Sequence, residues 1–532
     1  MAKTSTTQVF SFFGREALNG GLNVSDNPLI IGPAEMTVAQ NITIAQSLSR
    51  KKRPGMVDYH VGTFASTASY PTIAANTPIL GISQYWRYLS ATGVPSEDLF
   101  LHQGTKVWSI PDRINQAVDR TGSLALTAGS RISYQVFQGI IYFCSSTTGD
   151  GYNKWNALGA TPGSATSATA PPDGPGKYLG IYNGRMVMGG NDDFPFRVYL
   201  SAALDAEDWV SVLADSLDLD YDGDPEGITA IFPQFQGRLF VATRRSIYEI
   251  TGNNPSDFAV QAVTKGIGCI GANTVVATPN DILFCSDRGA HSLRKVITSD
   301  QTEVQFLSRP IQTLWTQLLT TSLLNQSQAV WDESQNLYII TVPSSGQTQN
   351  DTILCYNLNY GHWTLWEDVD ARSLTNALIN NKQYPLIGRE NGRIGYLDPA
   401  SSTDFGVGFA SRFKTGKFFP GGDLTSEKRF LSMTILVATT QAASININWF
   451  IDSAESTKVG GKTLTVGTQA DILGTTFVLG TSRLGQGRFV PITLSIEDVG
   501  YNIQFEFSSS GNSSLEFLGY ILEVDNANPV YT

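Results

Sequence analysis

ITAIFPQFQGRLFVAT, residues 228–243, is two apolar runs joined by Gln236-Gly237. A two-residue hairpin turn whose hand suits the strand twist needs positive φ, which Gly adopts freely and Asn or Asp tolerates. The stretch therefore reads as a β-hairpin, and the same arrangement recurs along the chain. Gln103-Gly104 precedes TKVWSI, Gln138-Gly139 precedes IIYFCS and Asn183-Gly184 precedes RMVMGG. Asn280-Asp281 precedes ILFCS, Gln335-Asn336 precedes LYIITV and Asn391-Gly392 precedes RIGYLD. The second turn residues are thus Gly104, Gly139, Gly184, Gly237, Asp281, Asn336 and Gly392. Units of roughly 40 to 50 residues with about four strands each predict an all-β chain built on a β-propeller of six to seven blades.

The propeller is expected over residues 61–402, between two other regions. Residues 1–60 read as an extended N-terminal arm: 17–56 shows neither helical nor strand periodicity and must borrow partners for its backbone groups. After residue 403 the repeat stops, but strand-like runs continue, among them KRFLSMTILVAT, SININWFID, TTFVLG, YNIQFEFSS and LEFLGYILEV. They predict a C-terminal antiparallel β-sandwich, jelly-roll-like, over 403–532. Within the propeller, Ile311, Leu314, Trp315, Leu318 and Leu319 share one helical face and predict an inserted helix over 309–325. The Pro-, Gly- and Ala-rich stretch 157–176 reads as an exposed loop.

Composition narrows the function. Of 532 residues, 41% are hydrophobic and only 16% charged, with 50 glycines, which suits many short strands and tight turns and excludes a disordered or coiled-coil chain. The net charge of −11 argues against a protein that grips nucleic-acid phosphates. The four cysteines, Cys144, Cys269, Cys285 and Cys355, are scattered and mostly sit in apolar runs, as reduced, buried thiols do. The beginning of the chain lacks an apolar stretch long enough for a secretory signal, and no window suits a membrane span.

The search for chemistry gives no catalytic residue, cofactor or metal. His60, His102, His291 and His362 have no metal spacing, and neither a nucleophile elbow nor a phosphate loop occurs. Gly266-Ile267-Gly268-Cys269-Ile270-Gly271 fits a dinucleotide motif but is followed by strand-like sequence, so it reads as a turn between blades. Asp218, Asp220, Asp222 and Asp224 resemble the start of a calcium loop, yet Thr229 stands where a bidentate Glu belongs, so a solvated loop is expected. Trp363 and Trp366 in HWTLW would serve a sugar-binding propeller if exposed; a core role is expected instead.

The N-terminal stretch carries the most distinctive pattern: Gly20-Gly21-Leu22-Asn23, Asp26-Asn27-Pro28, Gly32-Pro33-Ala34-Glu35, Gln40-Asn41 and Arg50-Lys51-Lys52-Arg53-Pro54-Gly55. It resembles the start of the tail nozzle (tail tubular protein B) and DNA-stabilisation proteins of short-tailed bacteriophages. GDPEGITAIFPQFQGRLFVATRRSIYEITG (223–252), Gly266-Ile267-Gly268-Cys269 with LFCSDRGAHSL (283–293), FLSRPIQTLW (306–315) and FKTGKFFPGGDLTSEKRFLSMTI (413–435) continue the likeness in order, each motif loosely. The resemblance implies a structural virion protein of the tail, made in the host cytoplasm. It implies a homo-hexameric ring that extends the portal channel for DNA retention and ejection. Its expected partners are further copies of itself, a portal or adaptor ring above, tail fibres on the outside, and viral DNA passing without sequence-specific binding. Arg50, Lys51, Lys52, Arg53 and Pro54 are expected on a subunit-interface arm. The alternatives are a glycan-binding or glycan-cleaving propeller and a baseplate or fibre-attachment hub.

Overall fold

The structure is a computed structural model. It describes the chain except for residues 1–6, 14–19, 33, 46–47, 62–73, 75, 89–94, 112, 115, 158–161, 220–226, 297–300, 318, 423–424, 440–442, 453–457, 467–489 and 527–532. Two compact units form. One comprises Asp58–Leu354 and Asp368–Tyr396; the other comprises Met1–Val57, Cys355–Glu367 and Leu397–Thr532.

The first unit is a β-propeller of seven antiparallel sheets. Blade 1 runs Ile79–Tyr88, Pro95–Gln103, Lys106–Ile110 and Val118–Asp119. Blade 2 runs Ile132–Phe137, Ile140–Ser145, Tyr152–Asn156 and Thr166–Ser167. Blades 3, 4 and 5 open with Tyr178–Tyr182, Ile228–Ile231 and Val276–Ala277 and carry four strands each. Blade 6 opens with Gln328–Asp332 and Leu337–Val342, blade 7 with Ala371–Ile379 and Lys382–Arg389.

Successive side chains of a strand point to opposite faces. Here both faces are covered by a neighbouring blade, which is why the runs look continuously apolar. In blade 4, Leu239 and Val241 pack into the core shared with blade 3. Phe240 and Ala242, between them in sequence, pack into the core shared with blade 5. In blade 2, Ile141 and Phe143 face blade 1, while Tyr142 and Cys144 face blade 3.

Glutamine side chains join the last blades to the first. Gln84 of blade 1 donates to Leu378 O (3.2 Å) and accepts from Leu378 N–H (2.7 Å). Gln328 of blade 6 donates to Leu80 O (2.9 Å) and accepts from Leu374 N–H of blade 7 (3.0 Å). The residues that enter the unit lie along the outer side of blade 7: Tyr59 N–H donates to Ile394 O (3.0 Å) and Arg393 forks onto Asp58.

The turns explain the uneven repeat. Those at Gly139, Gly184 and Gly237 join the first and second strands of their blades, with φ of 78°, 70° and 79° after Gln138, Asn183 and Gln236 at 48°, 46° and 51°. Asn336, at φ 54°, does the same in blade 6. Gly104 and Gly392 join second and third strands instead, so the first and last intervals are out of step. The equivalent turn of blade 7 is Asn380-Asn381, φ 50° and 61°. Asp281 is corrected: it is the first residue of Asp281–Ser286, and the turn is held by the Thr278 hydroxyl accepting from Asp281 N–H (3.1 Å).

Two further expectations change. The helix over 309–325 shrinks to Gln312–Gln317 between short 3₁₀ turns; Ile311, Leu314, Trp315 and Leu319 are buried, and Leu318 lies outside the described residues. The stretch 157–176 is more than a loop, because Thr166–Ser167 supplies the outermost strand of blade 2.

The second unit holds two groups of strands. In one, Leu515–Asn526 pairs with Gln8–Phe13, Arg50–Lys52 and Lys428–Thr439, and Lys428–Thr439 pairs with Val490–Gly500. In the other, Met36–Gln40, Ser411–Thr415, Ile503–Ser509, Ala443–Ile451 and Gly460–Val466 follow in order. Aromatic rings join the groups: Phe507 lies 4.5 Å from Phe517, and Phe413 5.1 Å from it, centroid to centroid. The propeller unit begins at Asp58 and ends at Tyr396, close to the limits expected at 61 and 402, but the arm and the C-terminal region form one unit, which also takes Cys355–Glu367. Gln8–Phe13, Met36–Gln40, Ile42–Ile44 and Arg50–Lys52 are built in as strands, because an extended segment satisfies its backbone groups on the nearest available sheet edge. The TTFVLG run lies outside the described residues.

Candidate functional site

The expected interface arm is consumed inside its own unit. Arg50 is buried, stacks over Phe413 (4.8 Å) and donates to Ala34 O (2.7 Å). Burial pushes its guanidinium down to about 10. Arg53 lies over Phe409 (3.8 Å) and forks onto Asp404 at 3.0 and 2.6 Å. Lys52 donates to Gly511 O (2.7 Å), and burial, with the neighbouring Arg53 charge, lowers its ammonium to about 8. Lys51 is half-buried and Pro54 buried. Arg50, Lys52 and Arg53 are therefore placed in the core of their own unit, not on a free arm, since a desolvated cation needs carbonyl, carboxylate or aromatic partners and here finds them locally; Lys51 is not part of that core.

The rest of the N-terminal motif interlocks with that run. A Cβ on Gly20 would come within 2.3 Å of Ala34 O, and one on Gly21 within 2.8 Å of Trp363 N. Asn23 donates to Glu35 and Asp26, both at 3.0 Å, while its backbone N–H donates to Met36 O (2.8 Å).

Three of the four histidines, His60, His102 and His291, and both tryptophans of HWTLW are buried. His291 stacks on Phe284 (5.4 Å) and bonds Ser286 Oγ (2.8 Å). His102 is fully buried and His60 bonds Ile114 O (3.0 Å). Burial holds His102, His291 and His362 down to about 4. Trp363 and Trp366 are core residues, and Trp366 donates to Ile42 O (2.9 Å). All four cysteines are buried free thiols. Gly266 and Gly268 form the turn from blade 4 to blade 5. Asp220, Asp222 and Asp224 lie outside the described residues, and no group able to hold a metal ion occurs among the described ones.

The site that sequence reasoning missed is a cavity of about 300 Å³ in the propeller, at the ends where its innermost strands begin. Arg131 immediately precedes the first strand of blade 2, and Lys177 that of blade 3. Asn273 precedes blade 5, Asn325 and Gln326 precede blade 6, and Gln349 comes from a loop of blade 6. Arg131 Nη1 donates to Arg372 O (2.7 Å) and Leu80 O (3.4 Å), and Nη2 reaches Gln349 Oε1 (3.5 Å). Burial, and then the like charge of Arg372, push the Arg131 guanidinium down to about 10. A larger hollow of about 410 Å³ runs along blade 1, but its charges are already satisfied, Lys106 Nζ lying 2.6 Å from Asp119. A signal for the cavity was present in the sequence: a cation stands directly before the first strand of two consecutive units, in SRISYQVF and GKYLGIY.

No family model matches the chain, and no curated protein matches its sequence. Solved structures similar to it include a streptogramin B lyase, at 13% identity and TM-score 0.38, covering 65% of this chain and 98% of that one. The Neurospora crassa Pan2 WD40 domain is similar at 9% identity and TM-score 0.36, covering 65% of this chain and 94% of that one. A structure of YCF48 bound to D1 peptide is similar at 12% identity and TM-score 0.37, covering 64% and 98%.

Proposed function

We propose that the chain is a non-catalytic structural subunit of a bacteriophage tail, assembling as a ring that extends the portal channel. What supports this reading is the ordered series of motifs shared with nozzle and DNA-stabilisation proteins. The single observation that carries it is the fate of the most distinctive one. The Gly20-to-Gly55 stretch is occupied with folding: glycines too crowded for a side chain, an Asn23–Glu35 clasp and two arginines stacked on phenylalanines. Residues held in that way mark an architecture rather than a reaction. The glycan reading loses its aromatic platform, because Trp363 and Trp366 are in the core. In the proposed role the net charge of −11 keeps passing DNA from adhering. Copies in a closed ring would meet head to tail.

The test is light scattering and electron microscopy of the purified chain, with mass spectrometry of phage particles that carry it. Rings on the tail axis are the expected result. A monomer that binds or cleaves a bacterial surface glycan overturns the proposal.

A further inference from the structure

The cavity in the propeller has a charge that its surroundings do not balance. Its lining contains two cations, Arg131 and Lys177, and no Asp or Glu. Lys177 is paired with Asp192 at 2.6 Å, on the solvent side. Among the described residues, Arg131 has only neutral oxygens as partners, and two of those three contacts are long, at 3.4 and 3.5 Å. Arg372, close by, does not supply the missing charge. It is itself a cation, paired with Glu390 at 2.7 Å, with Nε and Nη1 buried and unpartnered. A guanidinium sunk among protein atoms without a carboxylate is poorly compensated, and a planar fork of N–H donors matches the two oxygens of a carboxylate or phosphate.

The remaining lining fits that chemistry. Asn273, Asn325, Gln326 and Gln349 bring amides, and Ser133 and Ser146 bring hydroxyls, from three blades to one space. Such groups donate to an oxyanion and also accept from hydroxyls on the same molecule. Arg131 keeps part of its surface accessible, as expected of a group that lines an open cavity. About 300 Å³ is enough for a small molecule.

We infer that this cavity binds a small oxyanion, a carboxylate or phosphate group seated on Arg131, with the amides of blades 5 and 6 orienting the rest of the molecule. The inference goes beyond the tail role and does not depend on it. The two anion classes are separated by titrating the full-length protein with succinate and with inorganic phosphate, by calorimetry and thermal shift at matched ionic strength, with chloride as control. Saturable binding of at least one is expected, and which one binds names the class. Arg131→Gln should weaken it about tenfold or more, with Arg131→Lys in between. Because Arg131 also ties blade 2 to Leu80 and Arg372, the glutamine variant risks unfolding; Gln349→Leu then serves as the second variant, expected to weaken binding severalfold while leaving the Arg131–Arg372 bond in place. Failure of the wild-type protein to bind either anion saturably overturns the inference. So does unchanged affinity in a folded Arg131→Gln protein.

Discussion

In the propeller, Ile140–Ser145 finds its two strand partners, Ile132–Phe137 and Tyr152–Asn156, immediately before and after it in sequence. In the two-group unit, Leu515–Asn526 pairs with Gln8–Phe13, Arg50–Lys52 and Lys428–Thr439. Both regions use the same period-2 alternation. They differ in how much chain must be ordered before a contact forms, and hence in where their weak points lie. The propeller's stability is distributed over inter-blade cores, while the other unit depends on a few residues that pin its distant segments together.

The Arg53–Asp404 pair is such a pin, with side chains 0% and 14% exposed, and Asp404 Oδ1 also accepts from Met56 N–H at 3.0 Å. Removing one partner of a buried pair leaves an uncompensated charge. Asp404→Ala should therefore cost about 3–5 kcal/mol. The loss should fall on the unfolding transition of that unit, with the propeller transition unmoved in calorimetry. A single shifted transition for the whole chain would show that the two regions do not unfold separately, and the comparison would fail.

The same difference decides what could be read from the sequence. The propeller was legible because each hairpin carries its own turn residue, as Gln236-Gly237 and Asn183-Gly184 do. The blade count stayed open because Gly104 and Gly392 mark a different turn of their blades, and Asn380-Asn381 looks like any polar pair. The role of residues 8–52 was not legible, since nothing local in QVFSFF names a partner at Leu515–Asn526. Arg50, Lys52 and Arg53 were expected at a subunit interface because charge predicts an exposed position on average; the burial of the two arginines depends on Phe409, Phe413 and Asp404, far away in sequence. Arg131 was passed over for a related reason: one cation before a strand becomes a site only when five blades converge on it.

Acid should separate the regions next. His102 and His291 belong to the propeller and His362 to the other unit; burial holds all three near 4, against an ordinary value near 6.5, so the propeller carries two such groups to the other unit's one. A histidine with a depressed folded-state pKa binds fewer protons folded than unfolded. Its neutral form therefore favours folding above about 6.5, and that advantage is lost as the pH falls from 6.5 towards 4. At pH 5 the loss is about 2 kcal/mol for each. The buried carboxylate Asp150, held below its usual range despite its burial by hydrogen bonds from Ser145, Thr127 and Ser130, adds its loss only at lower pH. Urea midpoints at pH 7 and pH 5 should show the propeller transition weakening about twice as much as the other, and His102→Asn should flatten that slope. Equal slopes for both transitions would remove the histidines from the explanation.

The smallest effect tests the turn argument itself. Gly237 sits at φ 79° after Gln236 at 51°, and a Cβ added there meets nothing within 4 Å. The cost of Gly237→Ala is then purely the backbone's, about 1 kcal/mol. Asn tolerates the left-handed region better than Ala, so Gly237→Asn should cost less. At Gly20 an added Cβ would collide with the Ala34 carbonyl at 2.3 Å, and there no choice of side chain helps. Chemical denaturation of the three variants distinguishes conformational from steric demand. Asn rescues the propeller turn and fails at Gly20 if each glycine is needed for the reason its surroundings give. Equal costs for Ala and Asn at position 237 would mean that the repeat is set by the flanking strands and not by its turn residues.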